Sequence, residues 1–274
     1  NSLMRELNGL ELQGFIQERQ AKQVRNLRQQ YRIAPKLLIV MSDHASDVIQ
    51  TYVRMKQRYA GDILIDVEVA MVAQTEMLQV IERANADASI HGVIVQLPLD
   101  DPSQTDEICN MIAPAKDVDG LGGLAGFTSA TAEAIDWLLA GYNVDLKGKH
   151  ITLLGHGKLV GAPLAKLWKS RGLSVTVLDK QSDRIAETLQ QSDVIMTATG
   201  VPRILKSEWV VPGAVVVDAG TASEGGAVVG DVDESLRERT DIIMTPAKGG
   251  VGPLTYTLLF DHVIQSALKT AGQL

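Results

Sequence analysis

The sequence predicts an α/β protein built as two lobes, and three observations predict it. Short apolar runs alternate with amphipathic stretches from Pro35 onward, the rhythm of parallel strands with covering helices. A helix-like connector at 131–144 separates two such series. The second series opens on a strand that runs straight into a glycine-rich turn, "LLGHGKLVGAP" (153–163), the local pattern of a Rossmann-type dinucleotide-binding domain.

In residues 10–32, Leu12, Phe15, Ile16, Val24, Leu27 and Tyr31 recur near helical spacing. Arg19, Lys22, Arg25, Arg28 and Arg32 fall on the other faces, read as a solvated basic surface rather than an anion-binding stripe. "KLLIVM" (36–41) reads as a buried strand, 46–60 as a helix, 65–72 as a strand, 75–87 as a helix and "GVIVQLPL" (92–99) as a third strand. The second lobe offers strands at 150–155, 174–179, 193–199, 214–220 and 241–246, and 255–271 reads as a final helix.

The 274 residues leave room for two domains. With 45% hydrophobic and 22% charged residues the chain reads as globular rather than disordered. A net charge of −7 argues against a nucleic-acid partner. No apolar run approaches the ~20 residues that span a bilayer, so no membrane partner is expected. One cysteine, Cys109, forms no internal disulfide, which fits a reducing, cytoplasmic setting. Asn1–Leu3, ahead of Met4, are set aside as a leftover of expression, and no signal-peptide core follows. His44, His91, His150, His262 and Cys109 show no metal-ligand spacing, so no metal is expected.

In the turn, Gly155 permits a sharp reversal and Gly157 lets backbone N–H groups approach phosphate oxygens. The helix opening at Gly161 adds partial positive charge, so the turn suits a pyrophosphate. The third glycine stands one residue later than in the commoner spacing. Asp179, at the end of the next strand, is placed to accept hydrogen bonds from ribose hydroxyls.

In the first lobe, Tyr52 and Lys56 stand four apart on one helical face. An aromatic plane beside an ammonium can stack on a flat ligand while the lysine reaches its reactive atom; a half-buried tyrosine beside a solvated lysine is the plainer reading of these two alone. Gln96 stands at the end of a parallel strand, where ligands of open α/β sheets bind. "KDVDG" (116–120) follows with Asp117 and Asp119, and a carboxylate there can take two parallel hydrogen bonds from a 2-amino-pyrimidinone edge, although aspartate and glycine also favour ordinary turns.

Taken together, "YVRMK" (52–56), "VQLPLD" (95–100), "KDVDG" (116–120), "GHGKLVGAP" (155–163), "GDV" (230–232) and "TPAKGGVGPLT" (245–255) resemble the motifs of the methylenetetrahydrofolate dehydrogenase/methenyltetrahydrofolate cyclohydrolases, in order over most of the chain. The resemblance implies a folate-binding catalytic domain from 4–140 plus 255–274, a Rossmann NAD(P)-binding domain from 141–254, a cleft between them and a homodimer. It implies Tyr52 stacked on the folate, Lys56 and Gln96 as the catalytic pair, and Asp119 on the pterin edge. Val95, Leu97, Pro98, Gly250, Pro253 and Thr255 would border the folate. Gly155, His156, Gly157, Lys158, Val160, Gly161, Asp179, Thr199, Gly220 and Thr221 would border the dinucleotide.

The chain departs from the family pattern at Ile49, where a serine is usual, with Ser46 matching only through an insertion. The segment "SATA" (129–132) replaces "PCTP", an asparagine is missing around 123–126, and Lys248 replaces a proline. These departures bear on the cyclohydrolase step more than on the dehydrogenase step. They keep open a dehydrogenase-only enzyme, and a non-catalytic folate or dinucleotide sensor stands as a further alternative. Retention of Tyr52, Lys56, Gln96 and Asp119 argues against a sensor. For the cofactor, His156 replaces the family's arginine, and an imidazole carries less charge at neutral pH than a guanidinium. Asp179 would repel a 2′-phosphate and accept from a free ribose diol. NAD is the expectation and NADP the alternative, with Lys180 and Arg184 close enough in sequence to serve a phosphate.

Overall fold

Continuous apolar runs make buried strands and alternating runs make half-exposed ones. The computed structural model describes residues 6–220, 222–224 and 227–274. Their helices are α1 (Gly9–Gln30), α2 (Asp47–Asp62), α3 (Met77–Asn85), α4 (Thr105–Met111), α5 (Ala130–Gly141), α6 (Gly161–Ser170), α7 (Ile185–Leu189) and α8 (Val251–Thr270). The strands are β1 (Lys36–Ser42), β2 (Asp66–Val72), β3 (Gly92–Val95), β4 (Ile151–Leu154), β5 (Val175–Leu178), β6 (Val194–Thr197), β7 (Val215–Asp218), β8 (Ala222–Glu224), β9 (Ala227–Val229) and β10 (Ile243–Met244).

The chain forms two compact units. One comprises Gly14–Ala130 with Tyr256–Leu274 and holds a three-stranded parallel sheet in the order β2-β1-β3. Leu37 to Met41 of β1 are buried, whereas the edge strand β2 alternates in exposure. β3 ends the order yet is buried throughout, because the side chains of Val118 and of Val263 on α8 lie over it; a Cβ on Gly92 would meet both within 3.1 Å. Beneath the sheet, Leu38, Val40, Val93 and Val95 pack with Met77, Ile81, Ile108 and Cys109 from α3 and α4.

The other unit comprises the described part of Asn1–Gln13 with Thr131–Thr255. Its five-stranded parallel sheet runs β10-β7-β6-β4-β5, and β8 and β9 form a separate antiparallel ribbon. The chain leaves β4 for β5 on one side and returns to β6 on the other, so the crevice at the carboxyl end of β4 is a topological switch point. β1 is flanked in the same way by β2 and β3.

The units divide the chain differently from the expected domains. Residues 6–13 group with the Rossmann sheet, because Glu6 bridges Met244 in parallel, the Leu7 N–H donates to the Met244 carbonyl at 2.9 Å, and the Gly9 N–H donates to Gly249 at 2.8 Å. Helix α5 groups there too, since the Asp136 carboxylate accepts from Trp168 Nε1 at 3.0 Å and from Arg171 at 2.8 Å. The third strand stops at Val95, short of the expected residue 99, and the strand expected at 241–246 shrinks to Ile243–Met244. Helix α8 starts at Val251, earlier than expected, because Pro253 falls in its first turn, where an N–H has no helical partner to lose.

Candidate active site

Helix α2 starts where the Ser46 hydroxyl accepts from the Ile49 N–H at 3.3 Å, with Asp47 adding charge that suits a helix N-terminus. Ser46 is therefore a cap, and Ile49 sits in the first turn. Val53, Tyr59 and Ala60 bury one face of α2, and Tyr52 and Lys56 share another, one turn apart. Tyr52 keeps 40% of its surface exposed, leaving its ring available for stacking.

Gln96 follows directly on β3, and its N–H still donates to the Val40 carbonyl at 2.8 Å. Its side chain is buried and accepts from Lys56 Nζ at 2.7 Å. Burial holds the Lys56 ammonium below its ordinary value, and the Asp119 carboxylate pulls against that shift. Asp119 shows the reciprocal balance: burial pushes its carboxyl up, and Lys56 and then His262 draw it down. The three side chains form one coupled group at the carboxyl end of the sheet, with Val95 buried beneath and Leu97 and Pro98 continuing the chain past it.

The two aspartates of "KDVDG" do different work. Asp117 is buried and accepts from the Gly120 N–H at 3.1 Å and the Gly122 N–H at 2.8 Å, so it shapes the loop from within. Burial pushes its carboxyl up to about 6 against those hydrogen bonds. Lys116 ties the loop to the end of α3, donating to the Ala84 and Asp87 carbonyls at 2.9 and 2.7 Å. Asp119 is the carboxyl this scaffold presents.

In the second unit, Gly155 has φ +118°, and a Cβ there would lie 2.4 Å from the Ala198 carbonyl oxygen. A Cβ on Gly161 would lie 2.1 Å from the Gly155 oxygen, whereas Gly157 faces open space. Two glycines thus close the turn and one leaves a cradle, the arrangement a pyrophosphate at the start of α6 requires. His156 and Lys158 are exposed beside it, and Val160 is half-buried at the helix entry. Asp179 is exposed just beyond β5, with Oδ1 accepting from the Gln181 N–H at 2.8 Å.

At the end of β6, the Thr199 N–H and hydroxyl both donate to Asp231 Oδ2, at 2.7 and 2.8 Å. Asp231 is fully buried, and its Oδ1 has no hydrogen-bond partner among the described residues. Burial pushes this carboxyl up, and nearby Asp218 adds to the effect against the Thr199 bonds. Asp218 accepts from the Gly220 N–H at 2.9 Å, fixing the backbone after β7. Thr221 lies outside the described residues. Gly250, Pro253 and Thr255, expected beside the folate, fall in this second unit, where the Pro253 carbonyl accepts from Gln13 at 2.9 Å.

The sequence does not show that Asp117 shapes the loop that presents Asp119, nor that Asp231 of "GDV" holds Thr199, nor that His262 is 1% exposed with Nδ1 2.7 Å from the Val118 carbonyl. Asp43, His44 and Asp100 bring potential metal-ligand atoms within 4.8 Å of one another, a grouping their sequence spacing hides, and all three are exposed. Cys109 is buried, and burial pushes its thiol up to about 12, so it is no nucleophile. No described helix is long and apolar enough to cross a membrane.

Comparison with known proteins agrees with this geometry. Residues 7–119 match the tetrahydrofolate dehydrogenase/cyclohydrolase catalytic domain, and residues 129–271 match the NAD(P)-binding domain of the same proteins. The chain is 36% identical over 252 residues to the bifunctional protein FolD of Exiguobacterium sibiricum, covering 86% of this chain and 90% of that one. It is 34% identical to FolD of Streptococcus pyogenes, covering 96% and 98%. The FolD methylenetetrahydrofolate dehydrogenase/cyclohydrolase structure from Campylobacter jejuni superposes with a TM-score of 0.92 at 31% identity, over 98% of this chain and all of that one. The Trypanosoma brucei enzyme complexed with NADP cofactor and inhibitor superposes at 0.89 and 27% identity, over 96% and 97%.

Proposed function

This chain belongs to the tetrahydrofolate dehydrogenase/cyclohydrolase family, and we propose that it oxidises 5,10-methylenetetrahydrofolate to the 5,10-methenyl cation and hydrates that cation to 10-formyltetrahydrofolate. The observation that carries the reading is the 2.7 Å bond from Lys56 Nζ to Gln96 Oε1, with Asp119 electrostatically coupled to it.

A nicotinamide dinucleotide held at the glycine turn would supply the acceptor for the hydride lost from the carbon between the two folate nitrogens. Positive charge then develops at that carbon, and a lysine whose ammonium is weakened by burial opposes it less than a solvated one. Gln96 Oε1 accepts a hydrogen bond from Lys56 Nζ and so orients the nitrogen. For the second step, neutral Lys56 takes a proton from a water whose oxygen adds to the carbon. Lys56 then returns that proton to N5 as the bond from the carbon to N5 breaks, the carbinol oxygen releases its remaining proton to solvent as it becomes the carbonyl, and the formyl group stays on N10. Tyr52 offers its ring to the pterin, and the Asp119 carboxylate pairs with the 2-amino-pyrimidinone edge. Asp119 must be ionised to do so: burial opposes that state, and Lys56, while it carries its proton, and His262 act for it.

For the dinucleotide, NAD is the reading Asp179 supports. Its turn holds a carboxylate at the end of β5, where a 2′-phosphate would meet like charge. Lys180 and Arg184 are the nearby cations that could serve such a phosphate, and Arg184 faces Glu187 at 3.8 Å. The NADP in the Trypanosoma brucei structure argues the other way. Steady-state kinetics with both dinucleotides tests it, on the wild type and on Asp179→Ser with His156→Arg. Preference for NADP in the wild type, or no shift toward NADP in the double variant, would overturn the assignment. A cytoplasmic homodimer belongs to the same proposal, and light scattering of the purified chain reads the assembly.

A further inference from the structure

Asp119 owes its position to contacts that the folate-binding motifs do not include. The loop before it is gripped by α8: His262 Nδ1 lies 2.7 Å from the Val118 carbonyl, and Ser266, one turn on, donates to the Ala115 carbonyl at 3.3 Å. A carbonyl only accepts, so Nδ1 must carry the proton. The imidazole is 1% exposed and stacks on Phe127, with centroids 4.7 Å apart and an angle of 22° between the planes. Lys269 Nζ lies 5.6 Å over the Phe127 ring. On the far side of Asp119, its own carbonyl accepts from the Ala130 N–H at 3.1 Å. The peptide that bears the Asp119 carboxyl is thus held by His262 before it and by the start of α5 after it. His262 also acts on the carboxyl through charge, drawing it down after Lys56.

We infer that His262 is a positioning residue for the folate: its Nδ1–H donation to Val118 fixes the Asp119 carboxylate against the pterin edge, so α8 sets folate affinity. The inference rests on the folate reading of Asp119. What matters is a donor at the δ position, and an asparagine at 262 carries its Nδ2 there, whereas a leucine carries none.

The test compares His262→Leu, His262→Asn and Asp119→Asn with the wild type, measuring kcat and KM for 5,10-methylenetetrahydrofolate and KM for the dinucleotide. His262→Leu is expected to raise the folate KM about tenfold, the order of one buried hydrogen bond, with the dinucleotide KM unchanged. His262→Asn is expected to return the folate KM to within about twofold of wild type. Should the leucine variant not fold, His262→Gln takes its place, because its amide donor lies one bond beyond the δ position. An asparagine variant as impaired as the leucine variant, or a dinucleotide KM that rises in parallel, reduces His262 to packing and overturns the inference. So does an unchanged folate KM in His262→Leu while Asp119→Asn raises it. If Asp119→Asn itself leaves the folate KM unchanged, the folate reading of Asp119 fails first, and this inference falls with it.

Discussion

At the residue scale the proposed chemistry turns on the protonation of Lys56. Burial favours its neutral form, so the folded chain gives up this proton more readily than the unfolded chain does. Between the lowered value and the ordinary 10.5 the unfolded state binds more protons, so this group's contribution to stability rises with pH across that window. With Lys56 as the proposed base, catalysis is expected to follow the same titration. The rate of methenyl hydration should climb as pH rises through the lowered Lys56 value and level off above it, with the midpoint below that of an exposed lysine. A rate versus pH curve with no such limb would remove Lys56 as the base.

At the element scale the candidate site is a set of loops at the ends of strands, and their hydrogen bonds can be tested. Replacing Asp117 by Asn turns an amide N–H₂ toward one of the two backbone N–H groups it now accepts from, which should cost about 1–3 kcal/mol of stability. The folded Asp117 carboxyl takes its proton at about 6, above the ~4 of an unfolded aspartate. Wild type therefore gains stability relative to the non-titrating variant as pH falls through that window, and the gap seen in denaturant melts should widen. The glycine turn gives a second contrast. Gly155→Ala places a methyl 2.4 Å from the Ala198 oxygen at φ +118° and should destabilise the fold by about 3 kcal/mol or more. Gly157→Ala meets nothing within 4 Å and should melt like wild type, yet bind dinucleotide more weakly, because the methyl intrudes where phosphate approaches. Equal dinucleotide affinity in Gly157→Ala, by fluorescence titration, would contradict the cradle.

At the scale of the whole molecule, the two parallel sheets were legible because Leu37 to Met41 and the later apolar runs are too short for helices and too continuous for exposed edges. Lys56, Gln96 and Asp119 were legible as motif positions, but their coupling was not: it depends on α2, β3 and the loop after α4 converging across 40 and more residues of chain. The bridge from Glu6 to Met244 was not legible, because a two-residue strand such as Ile243–Met244 leaves no periodic signal for a partner to match. The sequence leaves His262 one scattered histidine, since nothing in the spacing of α8 tells which loop it faces.

The central claim is that one lysine, held by Gln96, serves the second of two linked folate reactions. The most direct measurement mixes the enzyme with 5,10-methylenetetrahydrofolate and oxidised dinucleotide, and follows the reduced nicotinamide and 10-formyltetrahydrofolate together, in wild type and in Lys56→Met. Wild type should form both products. The variant should lose hydration by at least about 10²-fold while hydride transfer falls less, so that the methenyl cation accumulates. Undiminished hydration in Lys56→Met would contradict the account.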